Sequence, residues 1–406
     1  MTRTTETNLP GRREFVVLMA ALMASNALAI DAMLPALPAI GESLGIAEDN
    51  RRQLVITVYL LGFGAAQLAY GPLADRFGRK PLLIGAMLLY ALFGALAGIA
   101  GSMNLLLAAR FAQGVAAAGT RVLVVAIVRD RFHGSAMAQI MSLVMIVFMI
   151  VPVLAPAFGQ GVLAIGTWRH IFIGLAVYGL LLALWGGTRM PETLPTEARR
   201  PLSARAIGSA VSATLRERAS LGNTLASTLA FGGLFAFINS IQQIVFDVFG
   251  RPELIGIVFA CIAAPMAASS YANSRLVMRL GPRRLLLAAL ATFTVFAALH
   301  LAVILVQGET IWSFVALQAL TMACFGLVGA NAGALAMASM GHIAGTASAV
   351  QGLVTTIGGA LIGLAIGQLF DGTAVPMVAG FAVCGALAIL AALWANPVQP
   401  GAPKAE

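Results

Sequence analysis

Three charged residues stand where the chain gives charge the least support. Asp31 lies in an apolar run over roughly residues 15–38, and Arg110 and Arg121 lie in another over roughly 105–127. A charge inside a segment long enough to cross hydrocarbon is costly, so its default reading is functional. Asp31 is therefore a candidate proton carrier. It sits about seven residues from the outer end of its run and Arg110 about five from the end of its own, which at about 1.5 Å per residue puts them at similar depth. The two are candidates to pair across a central cavity, where proton and substrate would compete for one charge. The rival reading leaves Asp31 ordering a helix end beside Pro35 and Pro38.

Arg121 follows Arg110 by eleven residues, close to three helical turns, so the two share a face that should look inward. Arg121 has a structural alternative: it could snorkel, or pair with a loop group such as Asp130. Asn26, Gln113, Asn239, Gln242, Gln243 and Asn331 join Arg121 as candidate cavity residues, with Gln318 as a further polar neighbour. Met33, Phe235, Phe246 and Phe325 would add an adaptable apolar wall, although core packing explains such residues as well. No phosphate-binding Gly-rich loop, metal-spaced His or Cys set, or activated nucleophile is legible. Cys261, Cys324 and Cys384 are scattered singly. The expectation is a chain that is not an enzyme, holds no cofactor or metal, and draws its energy from protons.

The elements that must carry these residues follow from composition. Hydrophobic residues make up 60% of the 406 positions and charged ones 10%, with a mean hydropathy of +0.91. That is too much apolar surface for a soluble core. Twelve runs of crossing length can be laid at roughly 15–38, 53–72, 82–101, 105–127, 136–160, 170–187, 222–246, 254–274, 285–306, 311–335, 345–369 and 375–395. Unpaired backbone is too costly in lipid for anything but helix, so the prediction is an all-α membrane protein of twelve transmembrane helices. The polar start with Arg3, Arg12 and Arg13 leads into a run too long for a signal-peptide core, so the first helix is read as retained.

The net charge of +9 does not point to nucleic acid, because it is confined to alternate loops. Nineteen Lys and Arg fall in one set of loops and only Arg51, Arg52, Arg169 and Arg251 in the other. By the positive-inside rule, both termini and the central loop belong in the cytoplasm. That loop, 188–221, breaks the apolar pattern with Pro191, Pro195 and Pro201, and divides the chain into halves at 1–187 and 222–406. Within it, residues 201–218 carry Leu202, Ala206, Ile207, Val211 and Leu215 at helical spacing, which predicts a short surface helix.

Between the second and third runs stands Gly71-Pro72-Leu73-Ala74-Asp75-Arg76-Phe77-Gly78-Arg79-Lys80-Pro81, read as a compact charged turn. A weaker echo, Ser274 to Arg284, follows about two hundred residues later, as expected of a duplicated chain. This motif and the six-plus-six pattern resemble the major facilitator superfamily. More narrowly, the chain is similar to drug:proton antiporters of the bicyclomycin and chloramphenicol resistance type. Matching segments are Asp31 to Pro38, Arg110-Phe111-Ala112-Gln113-Gly114, Arg129-Asp130, Ala155 to Gly159, Trp168-Arg169, Pro191 to Leu194 and Ala344 to Ala349. Ala155, Gln160 and Val125 depart from the pattern.

The resemblance implies two six-helix halves that rock about a central site, exporting a small amphipathic compound in exchange for protons from a bacterial inner membrane, as a monomer. It implies that Gly71, Asp75, Arg76, Gly78 and Arg79 form a conformational gate, with Asp75 a candidate to cap the eleventh helix at Gly345 to Ser348. It also implies that Pro152, Pro156 and Gly159 form an antiporter motif that limits proton leak, while close helix packing accounts for the same residues. A dedicated exporter of one metabolite and a non-transporting membrane sensor remain alternatives at this level.

Overall fold

A computed structural model describes residues 10–199 and 204–397. Arg3, Arg200, Pro201, Leu202 and Lys404 lie outside the described residues. Helices follow the apolar runs: α1 (Arg12–Asp31), α2 (Leu37–Ser43), α3 (Leu54–Phe77), α4 (Arg79–Gly98), α5 (Met103–Arg131), α6 (Gly134–Ile165) and α7 (Trp168–Arg189). After the central segment and its α8 (Ala204–Arg216) come α9 (Arg218–Gln243), α10 (Ile255–Leu280), α11 (Pro282–Gln307), α12 (Ile311–Met337), α13 (Ala344–Gln368) and α14 (Val375–Ala395). No strand occurs among the described residues, and twelve of the helical spans are long and apolar enough to cross a bilayer.

The pairing of helices repeats. In the first half α3 packs on α5, α4 on α5 and α7, and α1 on α5, α6 and α7. In the second, α10 packs on α12, α11 on α12 and α14, and α9 on α12, α13 and α14, which is the same scheme. Without a hydrophobic drive between helices in lipid, small residues set how closely they pack. Gly62 lies against the Phe111 carbonyl and Gly114 against the Tyr59 carbonyl, so α3 and α5 cross in backbone contact. Between the halves, α3 meets α13 and α6 meets α10.

The charged motif is helical rather than a loop. α3 continues through Pro72 to Phe77, and the chain turns on Gly78 alone, at φ 96°, before α4 begins at Arg79. The echo does the same: α10 runs to Leu280, Gly281 turns at φ 75°, and α11 starts at Pro282. A single left-handed residue suffices to reverse the chain, and glycine takes that conformation without steric cost. α6 likewise runs unbroken through Pro152 and Pro156.

One end of the bundle carries the linker and both described chain ends. There Arg189 Nε donates to Glu14 at 2.7 Å, and Arg283 donates to the Asn396 carbonyl at 3.0 Å. We call this the linker end and the opposite one the far end. The α8 helix lies at the linker end against α9 and α13, burying Ala210 and leaving Leu215 39% exposed.

Candidate functional site

The far end is sealed across the halves by side-chain amides. Gln53 donates to Gln243 Oε1 at 2.6 Å and to the Gly367 carbonyl at 2.9 Å. Gln243 donates in turn to Asn50 Oδ1 at 2.7 Å, and Gln368 to the Asn50 carbonyl at 2.7 Å. A second contact joins α6 to the segment before α10, where Gln160 donates to the Pro252 carbonyl at 3.0 Å. Lower in the bundle, Gln67 on α3 donates to Thr356 on α13 at 3.0 Å.

Beyond Gln67 toward the linker end, α3, α5, α6 and α13 diverge around a cavity of about 430 Å³. Gly71, Asp75 and Arg79 line it from the first half, with Arg121 and Arg129 from α5, and Gly345, Thr346 and Ser348 from the start of α13. Asp75 and the α13 N-terminus thus face one space, but Asp75 does not cap the helix. Its Oδ1 accepts from Arg79 Nη1 at 2.7 Å, and among the described residues α13 has no side-chain cap.

Arg79 organises the linker end of the first half. Its side chain is 4% exposed and bonds Asp75 and, through Nε at 3.1 Å, Asp130. Asp130 also accepts from Thr193 at 3.1 Å, so it is spoken for and does not partner Arg121. Glu192 completes the knot: its Oε1 accepts from the Arg79 backbone N–H at 2.9 Å, capping α4. A side chain at Gly78 would collide with that same carboxylate. Arg76, by contrast, faces outward and rests on Phe77 with 5.3 Å between guanidinium and ring centroid. Of this knot, Asp75, Gly78 and Arg79 were singled out in the sequence. Glu192 was visible only as a piece of a resemblance, and Asp130 only there and as a possible partner of Arg121, with no spacing to tie either to Arg79.

The expected Asp31–Arg110 pair is not formed. Arg110 is fully buried and spends its donors on the Val55 carbonyl at 3.1 Å, Gln113 Oε1 at 2.7 Å and the Ala29 carbonyl at 2.9 Å. Its guanidinium lies 4.2 Å from the Tyr59 ring centroid, a favourable placement for a cation. Tyr59 passes the network on, donating to Asn26 Oδ1 at 2.9 Å. Asp31 is the last residue of α1, 4% exposed, and its Oδ1 has no hydrogen-bond partner among the described residues. Gly159 of α6 is seated on the carbonyl of Ala32, the residue after Asp31. Carbonyls two helices apart satisfy Arg110, and the equal depths of the two residues could not reveal that.

The remaining candidates fall into three places. Buried atoms without partners among the described residues occur at Gln113 Nε2, Asn239 Oδ1, Gln242 Nε2 and Gln318 Nε2, on α5, α9 and α12. Gln243 belongs to the far-end seal, and Asn239 reaches Thr57 across the halves at 3.4 Å. Asn331 donates to Asn273 at 2.7 Å and ties α12 to α10 within the second half. Among the predicted cavity residues, only Arg121 lines the linker-end cavity. The amides Asn50, Gln53 and Gln368 were missed, because nothing in the sequence separates a sealing amide from a surface one.

The chain matches the Major Facilitator Superfamily model over residues 19–361. It is 32% identical to an uncharacterized MFS-type transporter, YdgK of Bacillus subtilis, over 94% of each chain. It is 29% identical to a bicyclomycin resistance protein homolog of Haemophilus influenzae, over 93% of this chain and 94% of that one. The crystal structure of the human organic anion transporter MFSD10 (TETRAN) superposes with a TM-score of 0.67, at 21% identity, over 95% of this chain and 100% of that one. Two six-helix halves meeting at α3–α13 and α6–α10 define a membrane transporter of twelve crossings. The chain belongs to the major facilitator superfamily. It is a transporter rather than an enzyme, and the sensor reading is not favoured.

Proposed function

We propose that this protein is a proton-coupled secondary transporter that exports small amphipathic compounds, antibiotics among them, across a bacterial inner membrane. The observation that carries this is the asymmetry of the bundle: amides seal the far end between halves, while a 430 Å³ cavity lies between them at the linker end. One state of an alternating-access cycle has this form. With the linker end in the cytoplasm, as the Lys and Arg bias favours, the cavity takes substrate from inside the cell. The H. influenzae relative's name supports drugs as its class.

In this reading the halves 1–187 and 222–406 rock about the linker 188–221, and the protein acts as a monomer. Asp31 carries the proton, since a buried carboxyl without a partner on a crossing helix is the costliest group to keep for structure alone. Arg110 acts from the buried network that ends two residues before it. Gly71, Asp75, Arg76, Gly78 and Arg79 work as the linker-end gate, closing when Asp75 meets the α13 N-terminus across the cavity. Pro152, Pro156 and Gly159 hold α6 tight beside Asp31 and α10. Asn26, Gln113, Asn239 and Gln242 meet the substrate as the halves exchange access.

The test is substrate-induced proton release in everted membrane vesicles, across amphipathic antibiotics that include chloramphenicol-type compounds. The expected result is release by wild type and none by Asp31→Asn. Equal release by both would remove Asp31 from the mechanism, and no release with any compound would remove proton-coupled drug export.

A further inference from the structure

The linker-end cavity has an uneven charge. Four charged residues line it: Asp75, Arg79, Arg121 and Arg129. Asp75 and Arg79 neutralise each other, and Asp130, the other carboxylate nearby, is also held by Arg79. Arg121 and Arg129 are exposed and have no hydrogen-bond or ion-pair partner among the described residues. Among the described residues no carboxylate free of Arg79 lines the cavity. Arg121 lies six residues inside the linker end of the apolar run over roughly 105–127, about 9 Å along the axis and so about a third of the way into a ~30 Å hydrocarbon layer. A guanidinium that deep is ordinarily paired. The N-terminus of α13, which no side chain caps, enters the same space from the opposite wall with Thr346 and Ser348. Its partial positive charge adds to the field of the two arginines. Apart from Gln67, the rest of the wall, including Val122, Val125 and Met137, is apolar.

We propose that this cavity takes small amphipathic anions, with Arg121 pairing to a carboxylate or comparable anionic group and Arg129 drawing it in at the mouth. A cationic compound would meet two unpaired like charges and no free carboxylate. Planar guanidinium suits this task because it can bond a carboxylate through two parallel N–H donors. The apolar body of the ligand rests on the α5 and α6 wall. The proposal rests on the transport reading above and narrows its substrate class. It also sets the charge balance of exchange. For each proton entering, export of a monovalent anion moves two positive charges inward, a neutral compound one and a monovalent cation none. An interior-negative potential would therefore drive anion export most strongly.

The test measures binding without any gradient, so it reads separately from proton coupling. Purified full-length protein in phosphatidylcholine nanodiscs is titrated with indole-3-propionate and 4-butylbenzoate, each against its methyl ester, and with tryptamine as the cation. The anions should bind more tightly than their esters and tryptamine most weakly. Arg121→Gln should weaken the anions about tenfold or more, the scale of a lost charge-assisted hydrogen bond, and change the esters little. Arg121→Lys should recover part of the loss, and Arg216→Gln, on the exposed face of α8, should change nothing. Esters binding as tightly as both acids in wild type would overturn the proposal whether or not the variants fold. So would undiminished anion affinity in Arg121→Gln. Phosphatidylglycerol nanodiscs supply the other source of an anion: abolished indole-3-propionate binding there would assign the site to lipid headgroups and overturn the substrate reading. Anion binding retained in Asp31→Asn, alongside lost proton release, would show this proposal standing apart from the coupling mechanism. If Asp31→Asn releases protons normally, the coupling reading fails and this one is judged by binding alone.

Discussion

Gln53 Nε2 lies 2.6 Å from Gln243 Oε1, and this bond between uncharged amides joins the two halves at the far end. Replacing Gln53 by Leu removes that bond and the one to Gly367, and leaves the buried Gln243 carbonyl oxygen without its donor. At about 1 kcal/mol for each lost bond, plus the penalty of an unsatisfied group, the sealed state should lose roughly 2–4 kcal/mol. Distances between spin labels across the far end should broaden toward an open population in Gln53→Leu. An unchanged distribution would show that the Asn50 bonds to Gln243 and Gln368, with the α6–α10 contact, keep this end shut without Gln53.

Arg110 is a stability residue as well as a functional candidate. Its three acceptors, at Ala29, Val55 and Gln113, belong to α1, α3 and α5. Arg110→Met should leave all three short of a donor in a buried setting and cost roughly 3 kcal/mol or more. Thermal unfolding in detergent should show a clear fall in Tm. Arg110→Lys should fall less, since it keeps the charge but not the fork of donors.

The two carboxylates on Arg79 should not be equivalent. Asp130 is 17% exposed and Asp75 47%, and water screens an exposed pair far more than a covered one. Asp130→Asn should therefore lower the unfolding temperature more than Asp75→Asn. Asp75→Asn should instead change the rate at which the linker end closes, read by single-molecule distance changes across α3 and α13. Equal losses of stability would mean the exposed side of Arg79 matters as much as the covered one.

Gly159 sits on the Ala32 carbonyl with no room for a methyl group. Gly159→Ala should push α6 away from the break after α1 and raise passive proton leak in proteoliposomes, at a stability cost of roughly 1–3 kcal/mol from overpacking. Gly161, two residues on, has open space where its Cβ would be. Gly161→Ala is thus the matched control, expected to leave leak and Tm near wild type.

Glu192 caps α4 from the linker. Glu192→Ala should cost about 1 kcal/mol, as cap removals do, and loosen the link between linker and gate. Proteolysis within 188–221 should then be faster, and an unchanged cleavage rate would show that the linker is held elsewhere.

The helices, their number and their order were fixed locally by the sequence. In lipid every backbone N–H and C=O must be satisfied within its own segment, so an apolar run of about twenty residues has one available conformation, whatever its neighbours do. The positions of Asp31, Arg110 and Arg121 stand out for the same reason, since a rare charge among apolar residues needs no partner to be conspicuous. Partners are another matter. Whether Arg110 meets Asp31 or three carbonyls, whether Asp130 serves Arg121 or Arg79, and whether an amide seals the far end depend on how helices rotate and cross. Those angles are set by contacts such as Gly62 on Phe111, Gly114 on Tyr59 and Gly159 on Ala32, between residues distant in the chain. Close backbone approach moves a side chain by less than one helix diameter, yet that decides which polar atom lies within hydrogen-bonding reach. The tertiary structure alone therefore turned Arg121 from one of two inward-facing arginines into one of two cations lining a cavity without a partner among the described residues.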